Sequence, residues 1–98
     1  MNIEIIKNEN IVIKIKGRLD TTSSPILNQK IQELEIDKDL LIIDFKELDY
    51  ISSAGLRVLL AIKNMLEEKG RQLEIHNVNE VITEVFNVTG FINILNTK

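Results

Sequence analysis

The sequence predicts an α/β fold: a mixed β-sheet of about four strands, made of an N-terminal hairpin plus parallel strands, packed by helices. Three observations carry that expectation. Two short β-branched runs flank the polar link Asn8-Glu9-Asn10. The continuous apolar run Leu40-Leu41-Ile42-Ile43-Asp44-Phe45 has the length of a strand, too short for a helix. Segments of helical period with cap residues at their ends lie between and after these runs, so the later strands are joined by crossover helices and run parallel.

Each element has its own justification. Residues 2 to 7 and 11 to 16 read as a hairpin; in the second run Ile11, Ile13 and Ile15 alternate with Val12, Lys14 and Lys16, the period of a strand with one wet face. Gly17 is expected to end it. In Thr21-Thr22-Ser23-Ser24-Pro25, Ser24 is the expected N-cap and Pro25 the first helical residue, followed by an apolar stripe of Leu27, Ile31 and Leu34. The run from Leu40 to Phe45 is the pattern of a central strand covered on both faces. From Ala54 to Lys69 the period is helical, and Gly70 is placed to stop it. Val58, Leu59, Ile62, Met65 and Leu66 form its core stripe, with Arg57, Asn64 and Glu68 opposite; Leu56 and Leu60 fall to one side, either the edge of a broad core or an exposed apolar strip. "QLEIHNV" reads as a strand parallel to the central one with a right-handed connection. Asn79 caps a last helix carrying Val81, Ile82, Val85 and Phe86, which ends at Thr89-Gly90, and Phe91, Ile92, Ile94 and Leu95 fold back to close the core.

Composition narrows the function. A chain of 98 residues fits one compact domain, taken as residues 1–98, and buries roughly two-thirds of the surface its unfolded form exposes. With 44% hydrophobic and 28% charged residues it is an ordinary globular composition. A net charge of −3 without a basic cluster speaks against nucleic acid as a partner. There is no cysteine, so disulfides and thiolate chemistry are excluded, which suits a reducing compartment. Met1-Asn2-Ile3-Glu4 is unlike a signal peptide and no apolar run approaches the ~20 residues of a bilayer span, so a soluble, cytoplasmic protein is expected.

Few residues invite catalysis. His76 is the single histidine, without partners for a metal set, and reads as a strand residue. A hydrolase built on Ser53 and His76 would lack the G-x-S-x-G elbow and a third orienting group. The glycines at 17, 55, 70 and 90 are too scattered for a phosphate cradle, and no carboxylate pair stands out as acid and base. No enzymatic activity, metal or cofactor is expected.

The stretch "YISSAGLRVLL" is the exception, two hydroxyls and two very small residues at a strand-to-helix corner. Ser52 or Ser53 as N-cap, with Ala54 and Gly55 small because the turn is tight, needs no function. The same small residues also suit a corner that another protein approaches closely. "LDYISSAGLRVLL" resembles the signature of the STAS domain family, the bacterial anti-sigma factor antagonists, in which a strand ends in a serine-containing turn followed by G-L and an aliphatic helix. "GRLDTTSSP" resembles the family's G-x-L-D before its first helix, and "EVFNVTGFINIL" its C-terminal helix, so the resemblance covers nearly the whole chain in order.

The resemblance implies a function. The family's phosphorylated serine stands two positions before the glycine of G-L, which is Ser53 here; Ser52, where the best-known members commonly carry aspartate, is a rival acceptor, and Ala54 stands where serine or threonine is common. The implied partner is an anti-sigma factor with serine kinase activity, which supplies ATP and Mg²⁺. The unmodified protein binds it and frees the sigma factor, phosphorylation ends the binding, and a phosphatase acting on phospho-Ser53 resets it. The implied partner surface is Asp20, Ser52, Ser53, Ala54, Gly55, Leu56, Arg57 and Leu60, with Asp20 read equally well as an Asx-type turn residue. Physical chemistry favours a switch at such a corner, because phosphoserine carries about −1.5 to −2 charge at pH 7 and a helix N-terminus accommodates it while the surface becomes bulky and anionic. The alternative in the same fold is a STAS module of another assembly, a stress-signalling or lipid-transport complex, without a phospho-switch.

Overall fold

A computed structural model describes all 98 residues, Met1 to Lys98. In chain order the elements are β1 (Asn2–Lys7), β2 (Ile11–Leu19), α1 (Ser24–Glu33), β3 (Leu40–Ile51), α2 (Ser53–Glu68), β4 (Gln72–His76), α3 (Glu80–Thr89), a 3-10 turn (Phe91–Asn93) and β5 (Asn96–Thr97). β1 and β2 are the expected antiparallel hairpin, Asn2 opposite Lys16 and Lys7 opposite Ile11. From β2 onward every neighbouring pair is parallel, in the spatial order β1-β2-β3-β4-β5, and each parallel pair is joined through a helix. The fifth strand was not expected; at two residues it is too short for any periodicity to reveal.

Register decides which side chains meet. Ile13 pairs with Ile43 and Ile43 with Ile75, while Ile11 pairs with Leu41 and Leu41 with Leu73, so these residues share one face of the sheet. That face meets Leu27 and Ile31 of α1, Leu59, Ile62 and Leu66 of α2, and Ile82 and Phe86 of α3 in a single core of 21 buried residues. Phe86 packs against Phe45 of β3, ring centroids 6.5 Å apart. Leu95 is buried and Phe91 and Ile92 pack against the core as expected, but Ile94 faces solvent.

The central strand departs from the expectation of two covered faces. The buried apolar side chains of all three helices lie in the one core, so the opposite face, with Val12, Lys14, Asp44, Glu74 and His76, carries no helical layer. Ile42 on that face is shielded by its neighbours in register, Val12 and Glu74. A depression of about 410 Å³ on this open face, between Glu4, Lys14, Lys16 and Asp44, is lined mainly by charged groups.

Both strands that lead to the serine corner are longer than their sequence pattern suggested. β2 does not stop at Gly17 but continues to Leu19, with Gly17 at φ +103° beside a register shift that sets Gly17 against Leu48 and Arg18 against Tyr50. This is a bulge at a glycine, which bends the strand without ending it. β3 runs on past Phe45 through the polar residues Lys46, Glu47, Asp49 and Tyr50, held by its ladder to β2 and by Leu48 and Ile51 in the core.

Candidate functional site

The carboxyl ends of β2 and β3 lie side by side, Leu19 paired with Ile51, and the chain leaves each of them into a helix. The main-chain N–H of Ser52 donates to the Leu19 carbonyl O at 2.9 Å, tying the two exits together. In open α/β sheets this end, outside the carboxyl termini of parallel strands, is where binding sites are built.

Ser52 is the N-cap of α2. Its backbone is extended, with φ −98° and ψ 176°, and its Oγ accepts from the N–H of Gly55 at 3.4 Å, while its carbonyl O accepts from Leu56 at 3.0 Å. The two serines are therefore not equivalent. Ser52 is half-buried and committed to the cap, and Ser53, the first helical residue, is exposed.

The candidate surface divides in the same way. Ser53 and Arg57 are exposed, and Asp20, Ser52, Ala54 and Leu60 are half-buried. Leu56, left open between core and strip, is core, a buried member of the same hydrophobic cluster as Ile51 and Leu59. Gly55 is buried as well, and its smallness answers to the fold: a Cβ there would lie 2.7 Å from Ile51 Cγ1, 2.8 Å from the Leu19 carbonyl O and 3.0 Å from Leu19 Cγ. Of its two expected uses, a tight corner and room for an approaching protein, the packing accounts for the first. The glycine lets α2 start hard against the end of β2.

Asp20 organises the neighbouring loop. Its Oδ1 accepts from the main-chain N–H groups of Thr22 at 3.1 Å and Ser23 at 3.0 Å, and its own N–H donates to Ser23 Oγ at 2.8 Å. The Ser23 hydroxyl proton is shared between the Arg18 carbonyl O at 2.6 Å and Asp20 Oδ1 at 3.1 Å. This reciprocal box spaced by three residues precedes the helix; the expected cap at Ser24 is absent, its buried Oγ having no partner, and Ser23, at the N-cap position, makes no side-chain cap bond to α1. The Ser23 N–H, aided by the Ser23 hydroxyl, the Thr22 N–H and the Arg18 charge and opposed by desolvation, holds the Asp20 carboxyl below its ordinary 3.8.

Two residues of this rim were not among the sequence candidates. The Arg18 guanidinium lies 4.1 Å from the centroid of the Tyr50 ring and its Nε 3.7 Å from Asp20 Oδ2. They meet because the bulge at Gly17 brings Arg18 opposite Tyr50, a register the sequence pattern does not display. Tyr50 is exposed, so the end of β3 that leads into the corner presents aromatic surface.

His76 lies elsewhere. It pairs in register with Asp44, and its Nε2 is 2.9 Å from Glu74 Oε1. Ser52 lies eight positions beyond Asp44 along the chain, roughly 26 Å of strand at full extension, so His76 is not placed to act as a base on Ser53.

A family model of the STAS domain matches residues 2–98. An anti-sigma-B factor antagonist of Bacillus subtilis (strain 168) is 31% identical over 96 residues, spanning 97% of this chain and 88% of its own. A solved anti-sigma factor antagonist from Mycobacterium paratuberculosis superposes with a TM-score of 0.86 at 20% identity, over 98% of this chain and 83% of its own. The Bacillus cell fate determinant SpoIIAA matches in its phosphorylated form with a TM-score of 0.70 at 22% identity, over 99% of this chain and 89% of its own. Its unphosphorylated form gives 0.71 at 20%, over 99% and 86%. No helix is long and apolar enough to cross a membrane. A family match over nearly the whole chain, joined to a relative at 31% identity, makes this chain a member of the STAS domain family.

Proposed function

We propose that this chain, residues 1–98 forming one STAS domain, is an anti-sigma factor antagonist of the cytoplasm whose binding is switched at Ser53. The observation that carries the reading is the division of labour at the corner: Ser52 caps α2, which leaves the Ser53 hydroxyl exposed at the first position of a packed helix. The unmodified protein docks this corner, with Asp20, Ala54, Arg57 and Leu60 around it, on an anti-sigma factor that is also a serine kinase. The kinase moves the γ-phosphoryl group of its own Mg²⁺-bound ATP to Ser53 Oγ, which loses its proton as ADP leaves. A phosphatase hydrolyses the ester and restores the binding form. The chain is a ligand and a substrate in this cycle and contributes no catalytic group.

The switch follows from charge. Phosphate at position 53 sits at the N-terminus of a sixteen-residue helix, where the dipole and free N–H groups favour an anion, so the fold survives. A partner seated on a small neutral corner then meets a dianion, and apposed carboxylate or apolar surface is repelled or left desolvated. The test is capture from the native lysate with wild type and Ser53→Asp as baits, both shown folded by circular dichroism. Recovery by wild type alone of a protein with an ATP-binding kinase domain is the expected result. Recovery of the same scaffold or transporter components by both baits, without a kinase, would overturn the reading.

A further inference from the structure

The chain has three arginines, and two of them are engaged. Arg18 lies over Tyr50 and beside Asp20, and Arg71 donates from Nη1 to the Lys38 carbonyl O at 2.9 Å with Asp39 at 3.7 Å. Arg57 belongs to none of the four ion pairs. It is exposed on α2, and the residues one turn away from it are Ser53, Ala54, Leu60 and Ala61. No carboxylate shares its row on the helix, and the one neighbour able to become an anion is Ser53.

We propose that Arg57 is the intramolecular counter-ion of phosphoserine at position 53, so that phosphorylation withdraws the corner's free guanidinium while it adds charge. The proposal rests on the reading of Ser53 as the phosphorylated residue. Residues four apart on a helix are neighbours, and an anion on the N-terminal side of the cation is the favourable order. A guanidinium binds phosphate oxygens through two parallel N–H donors, which fixes the pair. The other charged groups at this end are Asp20 and Arg18, already engaged with each other, and Asp49 at the end of β3. In the unmodified protein Arg57 is available to a carboxylate of the partner. After phosphorylation that carboxylate loses its cation and faces the phosphate instead, so one modification acts twice on the same contact.

The test uses the chain alone, made with phosphoserine installed at position 53 and compared with the unmodified chain by NMR of the arginine Nε–H groups. The Arg57 resonance is expected to move on phosphorylation and to return as the phosphate takes up its second proton near pH ~6, while those of Arg18 and Arg71 stay in place. In Arg57→Gln the second phosphate pKa, followed by phosphorus NMR, is expected to rise by a few tenths of a unit, the size of an ion pair at this spacing, and Arg57→Lys to recover part of it. An Arg57 resonance that does not move, or a phosphate pKa indifferent to Arg57→Gln, overturns the pairing. The kinase takes no part in these readouts. Pairing without loss of kinase binding would therefore sink the switch and keep the role of Arg57, and loss of binding without pairing would do the reverse.

Discussion

Replacing Gly55 by alanine adds one methyl group at the most crowded point of the corner. That carbon would meet Ile51 Cγ1 at 2.7 Å, the Leu19 carbonyl O at 2.8 Å and Leu19 Cγ at 3.0 Å. Side chains give way cheaply, but the Leu19 carbonyl is held in place by the Ser52 N–H at 2.9 Å. The helix must therefore move off the sheet or that hydrogen bond must break. Overpacking of this kind costs about 3 kcal/mol at the upper end of its usual range, and alanine returns about 1 kcal/mol through its better helix propensity. The net loss is about 2 kcal/mol, which in a domain of this size lowers the melting temperature by roughly 8 to 16 °C. Urea denaturation followed by circular dichroism measures it, with an unchanged slope marking a true stability change. A Gly55→Ala protein as stable as wild type, within about 0.5 kcal/mol, would refute the claim that this glycine serves internal packing.

The remaining predictions concern the corner's hydroxyls and its carboxylate. Ser52→Ala is expected to cost about 0.5 to 1 kcal/mol of stability, since it removes a cap whose bond is long at 3.4 Å, whereas Ser53→Ala is expected to stay within about 0.5 kcal/mol of wild type; denaturant titration of both compares them, and equal losses would mean that the two serines share the cap. Mass spectrometry after incubation with the kinase is expected to find phosphate in Ser52→Ala and none in Ser53→Ala. Asp20 has a depressed carboxyl in the folded state, so its stabilising share is complete above the unfolded carboxylate value of about 3.9 and is lost as pH falls through the lower folded value. The stability gap between wild type and Asp20→Asn is therefore expected to be level at neutral pH and to close in strong acid, as thermal melts across a pH series can read; a gap that widens toward acid would contradict the hydrogen-bond assignment.

Much of this fold was legible in the chain because its signals are local. Alternation in Ile11, Ile13 and Ile15 set the hairpin, and Asn79, whose Oδ1 accepts from the Ile82 N–H at 2.9 Å, marked the start of α3. What stayed hidden depends on register or on distant contacts. The tail of β3 carries Lys46, Glu47 and Asp49, which carry no apolar signal, and is a strand because β2 pairs with it. The expected Ser24 cap of α1 is absent and Asp20 and Ser23 close a box three residues apart ahead of the helix, an arrangement that a serine next to proline does not disclose. Within the corner, "ISSAG" located the site but not its division of labour. That Ser52 caps, that Leu56 and Gly55 belong to the core, and that Arg18 reaches Tyr50 all follow from how tightly the ends of β2 and β3 are joined.

The most direct test of the central claim compares the chain carrying phosphoserine at position 53 with the unmodified chain for affinity to the kinase recovered by wild type. Circular dichroism and thermal melting of each report whether the fold is kept. The expected result is an affinity lower by ~100-fold or more, equivalent to about 2.7 kcal/mol, with the spectrum retained. Equal affinity of the two forms, or a loss of binding that accompanies unfolding, would contradict a switch made by surface charge at Ser53.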